Sequence, residues 1–162
     1  LYWCELNELF KKVDFYVVNE LDALAYQGYF SIECKREEDQ VIYSLIDSGK
    51  EKVYYAKYKV KDNGLEQNTD YKVEKLSNII EEVLLENNEN GKIYLSGDAV
   101  LNYKNIIKDN LGDKITLIED SSLKISSTTF NRMFFINKLE KKDIYSLKPY
   151  YLEKTQAERD KK

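Results

Sequence analysis

Histidine is absent from the 162-residue sequence. Ser-His-Asp triads, imidazole general bases and His-ligated zinc centres are therefore excluded. Cysteine occurs twice, as Cys4 and Cys34. The two form no Cys-x-x-Cys pair, and thiols spaced this widely read as unpaired and reduced rather than as a disulfide framework. Proline occurs once, as Pro149, and glycine six times, so hydrophobic period rather than chain breakers must mark the elements. Arginine is limited to Arg36, Arg132 and Arg159. With Lys plus Arg at 25 against Asp plus Glu at 29, the net charge is −4, which excludes a generally basic nucleic-acid binder. No apolar run approaches the roughly 18 residues of a membrane span, and Leu1 to Cys4 is too short and lacks the positive flank of a signal peptide. The chain reads as cytoplasmic. It opens on Leu1 and its one methionine is Met133, which suggests a piece of a longer product.

What is present is a clear succession of periods. Tyr2, Leu6, Leu9, Phe10 and Val13 recur at helical spacing and predict an opening amphipathic helix. Asp14 to Val18 reads as a buried strand. Asn19 caps a helix carrying Leu21, Leu24, Ala25 and Tyr26, with Gly28 at its end. Ser31 to Gln40 is polar and charge-rich and reads as a linker. Val41 to Ile46 is an apolar strand, and Asp47 to Lys50 turn the chain into a second strand, Val53 to Val60. There Tyr54, Ala56, Tyr58 and Val60 alternate with Tyr55, Lys57 and Lys59, which predicts the first set toward the core and the lysines toward water. Thr69, Tyr71 and Val73 mark a third strand. Leu76, Ile79, Ile80, Val83 and Leu84 form one helical stripe. Ile93 to Leu95 is a short strand, Asp98 is placed to cap a helix with Val100, Tyr103, Ile107 and Leu111, and Ile115 to Ile118 is the fifth strand. A last helix begins at Ser126 to Thr129 with Phe130, Met133 and Phe134, before Pro149 forces an extended tail.

Three meander strands followed by helix, strand, helix, strand and helix define an α/β, ribonuclease-H-like order. The expected sheet is mixed, with five strands and helices on both faces. The division expected is 1–30 as a remnant of an amino-terminal lobe with its crossover helix, 41–148 as the carboxyl-terminal lobe and 149–162 as the tail. Sheets of this class bind ligands at the carboxyl ends of their strands, so Asp47 and Ser96-Gly97-Asp98 are the positions to weigh. Asp47 and Asp98 with Glu81 or Glu82 could converge on divalent metals for phosphodiester hydrolysis. Alternatively, Asp47-Ser48-Gly49 and Ser96-Gly97-Asp98 could line a nucleotide, although one glycine in each loop frees few backbone donors. The structural alternative is a hairpin turn at Asp47 and a helix cap at Asp98.

Four blocks in register carry a family resemblance. They are Asn19-Glu20-Leu21-Asp22-Ala23-Leu24-Ala25-Tyr26, then Ile46-Asp47 with Val53-Tyr54-Tyr55-Ala56, then Leu95-Ser96-Gly97-Asp98, and Leu147-Lys148-Pro149-Tyr150-Tyr151-Leu152 with Ala157-Glu158. Together they resemble the TsaB (YeaZ) family, of the actin-like superfamily, over nearly the whole chain. The resemblance implies a non-catalytic scaffold subunit with no cofactor or metal of its own. It would pair with a TsaD-like paralogue and act with a TsaE-like ATPase in threonylcarbamoyl transfer to adenosine in transfer RNA. The family's opening Asp-Thr-Ser strand and Gly-Pro-Gly-Ser-Phe-Thr-Gly-Leu-Arg segment do not occur here. Ser48-Gly49-Lys50 replaces its basic pair, and Glu153 stands where its tail carries Arg. The runner-up function is an actin-like nucleotide binder, and the third is a two-metal nuclease.

The 14 tyrosines and 6 phenylalanines suggest core or interface use rather than base stacking, since arginine is too scarce to interleave with them. No strong direct nucleic-acid binding and no membrane attachment are expected. The opening stripe of Tyr2, Leu6, Leu9 and Phe10 is the expected partner interface. With little of a first lobe to cover it, a homodimer in isolation is expected through that helix.

Overall fold

The computed structural model describes residues 13–32, 40–86, 92–118, 125–148 and 152. The expected opening helix, most of the linker and nearly all of the tail lie outside these residues. The elements in chain order are β1 (Phe15–Val17), α1 (Glu20–Ser31), β2 (Val41–Gly49), β3 (Lys52–Lys61), β4 (Gly64–Gln67) and β5 (Lys72–Lys75). They continue with α2 (Leu76–Glu86), β6 (Ile93–Ser96), α3 (Asp98–Asn102), α4 (Lys104–Leu111), β7 (Ile115–Leu117), α5 (Ser127–Phe135) and β8 (Glu140–Lys142).

The main sheet has the order β4-β3-β2-β6-β7, with β5 also beside β3. β2 and β3 are antiparallel, whereas β2–β6 and β6–β7 are parallel. This is the mixed α/β, ribonuclease-H-like layout expected. The third strand is different: it is two strands, β4 and β5, which pair with opposite ends of β3. The sheet thus has six strands in five places. Between them Asn68 and Asp70 favour a turn over a strand. The gap is closed locally, because Lys57 N–H donates to Thr69 Oγ1 at 3.0 Å and Asn68 N–H donates to the Lys57 carbonyl at 2.7 Å.

Both faces of this sheet are covered. On one, Tyr43, Leu45, Val53 and Tyr55 pack against Leu76, Ile79 and Val83 of α2, with Val100 and Ile107 beyond. On the other, Ile42, Ala56, Tyr58 and Tyr94 pack against α1 and Met133. The alternation expected for β3 is therefore corrected. Ala56 and Tyr58 do face a core and Lys59 is exposed, but Lys57 is half-buried, because α2 covers its face of the strand and buries Tyr55 beside it. Lys57 is accommodated by ion pairing with Glu86 at 2.8 Å and Glu82 at 3.6 Å.

Small residues set how closely α1 approaches. Ala56, Ser44 and Ser96 are register partners across β3, β2 and β6, and above them run Ala25 and Gly28. Gly28 is not the helix end expected: α1 continues to Ser31, and a Cβ on Gly28 would lie 2.8 Å from Ile118 Cδ1 and 3.6 Å from Ser96 Cβ. Ser96 Oγ donates to the Leu24 carbonyl at 3.1 Å. The fully buried Ser44 Oγ has no hydrogen-bond partner among the described residues. Ser44→Ala is therefore expected to stabilise the fold by about 1 kcal/mol, since it removes a buried orphan hydroxyl and opens almost no space. Urea denaturation should show a higher midpoint at unchanged slope; a lower midpoint would mean that the hydroxyl is satisfied.

Two smaller corrections concern the ends of the chain. β1 is not the buried strand expected. It pairs antiparallel with β8, and Tyr16 is 41% exposed. Asn19 does cap α1, accepting from Leu21 N–H at 2.9 Å, and Ser126 caps α5. Of the apolar residues expected along α5, Met133 alone is buried, while Phe130 and Phe134 face outward. The helix is anchored instead by Gln27, whose Oε1 accepts from Ser126 N–H and Thr129 Oγ1, both at 2.8 Å. No helix among the described residues is long and apolar enough to cross a membrane.

Candidate functional site

The carboxyl ends of β2 and β6 do come together, and glycine geometry explains how. Gly97, with φ +113°, precedes α3 where the chain crosses the end of β2; a Cβ there would sit 2.1 Å from the Leu45 carbonyl oxygen. Only a residue without a side chain permits this approach. Asp98 is thus carried against the β2 end as the first residue of α3, not as its cap, which corrects the expected cap. Its Oδ1 accepts from Asp47 N–H at 2.9 Å.

Asp47 is the hub. Its Oδ1 accepts from Gly49 N–H at 2.7 Å and from the Tyr103 hydroxyl at 2.8 Å, while Oδ2 accepts from Asn102 Nδ2 at 2.8 Å. Helix α3 stops at Tyr103, whose backbone (φ −113°, ψ 19°) breaks the single helix expected here into α3 and α4. The break leaves the phenol over the β2–β3 hairpin, where its oxygen also accepts from Glu51 N–H at 3.3 Å. The hairpin departs from regular pairing between Asp47 and Gly49, and then turns through Lys50 and Glu51 at φ 56° and 57°. Asp47 supplies the local hydrogen bond that holds this left-handed turn.

Desolvation tends to raise the Asp47 pKa, but the hydrogen bonds from Gly49, Asn102 and Tyr103 together hold it below the usual carboxylate value. The Tyr103 phenol is correspondingly raised, first by the hydrogen bond it gives Asp47. The sign follows by linkage. A carboxylate with a lowered folded pKa adds stability above its unfolded value of about 4, and that contribution disappears as pH falls through the folded value. Asp47→Asn should therefore destabilise most near neutrality, with the difference from wild type narrowing below about pH 4. Urea midpoints across pH 2–7 check this, and a difference independent of pH would contradict it.

This geometry constrains the chemistry proposed from the sequence. Among the described residues no group of three Asp, Glu or Cys side chains is gathered for a metal. Glu81 is exposed, and Glu82 joins a different cluster on the α2 face. There it accepts from the Tyr43 and Tyr55 hydroxyls at 3.1 and 3.4 Å and faces Lys57. The Gly49 N–H that a phosphate would need is already donated to Asp47. The glycine at 97 answers to backbone crowding.

Two polar clusters were missed by sequence reasoning. In the first, Tyr43 lies between Glu82 and Glu86 and its phenol is raised by burial and then by Glu86, while Tyr55 is pushed up to about 12 by burial and Glu82. The signal for it was the i, i+4 pair Glu82 and Glu86 on the helix opposite a strand lysine. In the second, Asp22 of α1 accepts from Tyr58 at 2.6 Å and Tyr71 at 2.7 Å, clamping α1 over the sheet. The sequence-expected interface residues Tyr2, Leu6, Leu9 and Phe10 lie outside the described residues.

The fold and the tied-up Asp47 cluster define an α/β protein of ribonuclease-H-like class. A solved structure from Pseudomonas aeruginosa, described as an uncharacterized protein with similarity to peptidase YeaZ, matches it with TM-score 0.55 and 14% sequence identity. The match covers 84% of this chain and 57% of that one, so the chain spans little over half the length of that structure. At this identity the likeness is one of fold. No family model matches the sequence, and no curated protein matches it.

Proposed function

We propose that the chain is a non-catalytic interaction subunit similar to TsaB. In this reading it pairs with a TsaD-like paralogue and, with a TsaE-like ATPase, supports threonylcarbamoyl transfer to adenosine in transfer RNA. The observation that carries the non-catalytic part is the state of Asp47. It occupies the strand end where this fold class places its chemistry, yet both carboxylate oxygens are engaged by the chain's own Gly49, Asn102 and Tyr103. A charge held this way organises a hairpin and leaves little for a metal or a nucleotide. The ordered sequence blocks and the YeaZ-like fold supply the family part. Pairing is assigned to the apolar stripe of Tyr2, Leu6, Leu9 and Phe10.

Reconstitution tests this. The chain should co-elute with a TsaD-like paralogue from the same source, and transfer to adenosine in RNA should depend on adding it. Alone, it should hydrolyse neither nucleotides nor nucleic acid with magnesium or manganese. A hydrolase activity lost on both Asp47→Asn and Asp98→Asn would replace this reading with the metal-enzyme one. Micromolar ATP binding lost on Asp98→Ala would favour the nucleotide binder.

A further inference from the structure

Asparagine is followed by glycine twice in the sequence, at Asn63-Gly64 and at Asn90-Gly91. The first pair lies in a described turn and the second outside the described residues. Asn63 is exposed at the tip of the connection from β3 to β4, just before Gly64, which pairs with Lys61. No Cβ at Gly64 hinders the approach of its main-chain nitrogen to the carbonyl carbon of the Asn63 side chain. Every other asparagine among the described residues precedes a residue with a side chain, as Asn68 precedes Thr69 and Asn110 precedes Leu111. The chain around Asn63 is also the part of the sheet easiest to open. β4 has four residues and lies at the sheet edge, where local opening costs least.

The same turn carries contacts to two helices. A Cβ on Gly64, whose φ is +133°, would lie 3.2 Å from the Tyr26 hydroxyl of α1 and 3.3 Å from Lys138 Cε, just past α5. Leu65 N–H donates to that Tyr26 hydroxyl at 3.4 Å. The hairpin tip is thus seated between α1 and the end of α5, and its backbone length sets how it fits.

We propose that Asn63 is a site of spontaneous modification, converting to isoaspartate as the protein ages, and that the product unlatches β4 from Tyr26 and Lys138. The Gly64 nitrogen gives its proton to water or hydroxide and attacks Asn63 Cγ. The Cγ–Nδ2 bond breaks, ammonia leaves and a succinimide closes. Water then opens the ring. Attack at the main-chain carbonyl carbon leaves the chain running through Cγ as isoaspartate, and attack at Cγ gives aspartate. The sum is one water taken up and one ammonia released, with nothing oxidised or reduced. Isoaspartate places an extra carbon in the main chain of a tight turn whose register is fixed by Lys61 with Gly64 and Val60 with Leu65. Gly64 then cannot keep both its pairing and its seat against Tyr26.

The test is ageing of the full chain in mildly alkaline buffer, followed by peptide mapping with electron-transfer fragmentation, which tells isoaspartate from aspartate. Asn63 should convert about tenfold faster than Asn68 or Asn110, mainly to isoaspartate, and Asn63→Gln should abolish the conversion. Conversion at Asn63 no faster than at Asn68 would overturn the proposal. The structural consequence is read by hydrogen exchange on the aged form, separated from the unreacted chain by its added negative charge. Protection of the Leu65 to Gln67 amides should fall while that of β6 is retained. Asn63→Asp carries the same charge without the extra backbone carbon and should keep β4 protected. Equal loss in Asn63→Asp would assign the effect to charge, and full protection in the aged form would mean that the turn absorbs the added carbon; either result overturns the unlatching.

Discussion

Gly97→Ala is expected to lower stability by roughly 3 to 5 kcal/mol, combining the cost of overpacking against backbone with that of a side chain at positive φ. The added Cβ would lie 2.1 Å from the Leu45 carbonyl oxygen and 3.2 Å from the Leu45 nitrogen. These are main-chain atoms of β2 just past its last pair with β6, so no side-chain rotation relieves the overlap. Either β2 and β6 separate or α3 shifts, and either movement pulls Asp98 away from Asp47 N–H. The expected result is a much lower urea midpoint together with loss of protection at the Asp47 amide in hydrogen exchange. A loss under about 1 kcal/mol would show that the turn has room the geometry denies it.

Asp22→Ala is expected to cost about 3 kcal/mol, because two hydrogen bonds to a charged acceptor are lost at once and one donor is left buried. Tyr58 is 2% exposed, so its hydroxyl has no route to water once the carboxylate is gone. Burial and the Asp22 charge both raise its pKa, which keeps the phenol protonated and donating throughout the neutral range. Tyr71 is tied to the same carboxylate from the connection between β4 and β5, so the mutation also loosens the split edge of the sheet. Asp22→Asn keeps one acceptor oxygen and should lose roughly half as much. Chemical denaturation of the two variants checks the order, and equal losses would mean that a neutral amide oxygen recovers nothing and that the carboxylate charge carries the whole effect.

Period and turn chemistry made much of this fold legible. The stripe of Leu76, Ile79, Ile80 and Val83 is buried as read, Asn19 and Ser126 cap their helices, and the two parallel strands lie where their short apolar runs placed them. What failed depended on partners distant in sequence. Lys57 looks like a water-facing lysine until α2 is laid over it, and only then do Glu82 and Glu86 neutralise it. Gly28 looks like a helix stop because a glycine near a helix end commonly is one; in three dimensions it is where α1 passes Ile118. The split between β4 and β5 is written in Asn68 and Asp70, which a strand reading through Thr69, Tyr71 and Val73 passes over. At the strand ends, Asp47 and Asp98 were singled out and do meet. The sequence could not show that Asn102 and Tyr103 would reach back to them, because that needs the helix to break at Tyr103.

The central claim is that this carboxylate cluster builds the hairpin and performs no chemistry. Under the proposed function, the most direct measurement is threonylcarbamoyl transfer reconstituted with a TsaD-like paralogue and the double variant Asp47→Asn, Asp98→Asn, at a temperature where circular dichroism shows the variant folded. The account predicts transfer within about twofold of wild type. A folded, partner-bound variant that abolishes transfer would contradict it and place Asp47 and Asp98 in the reaction.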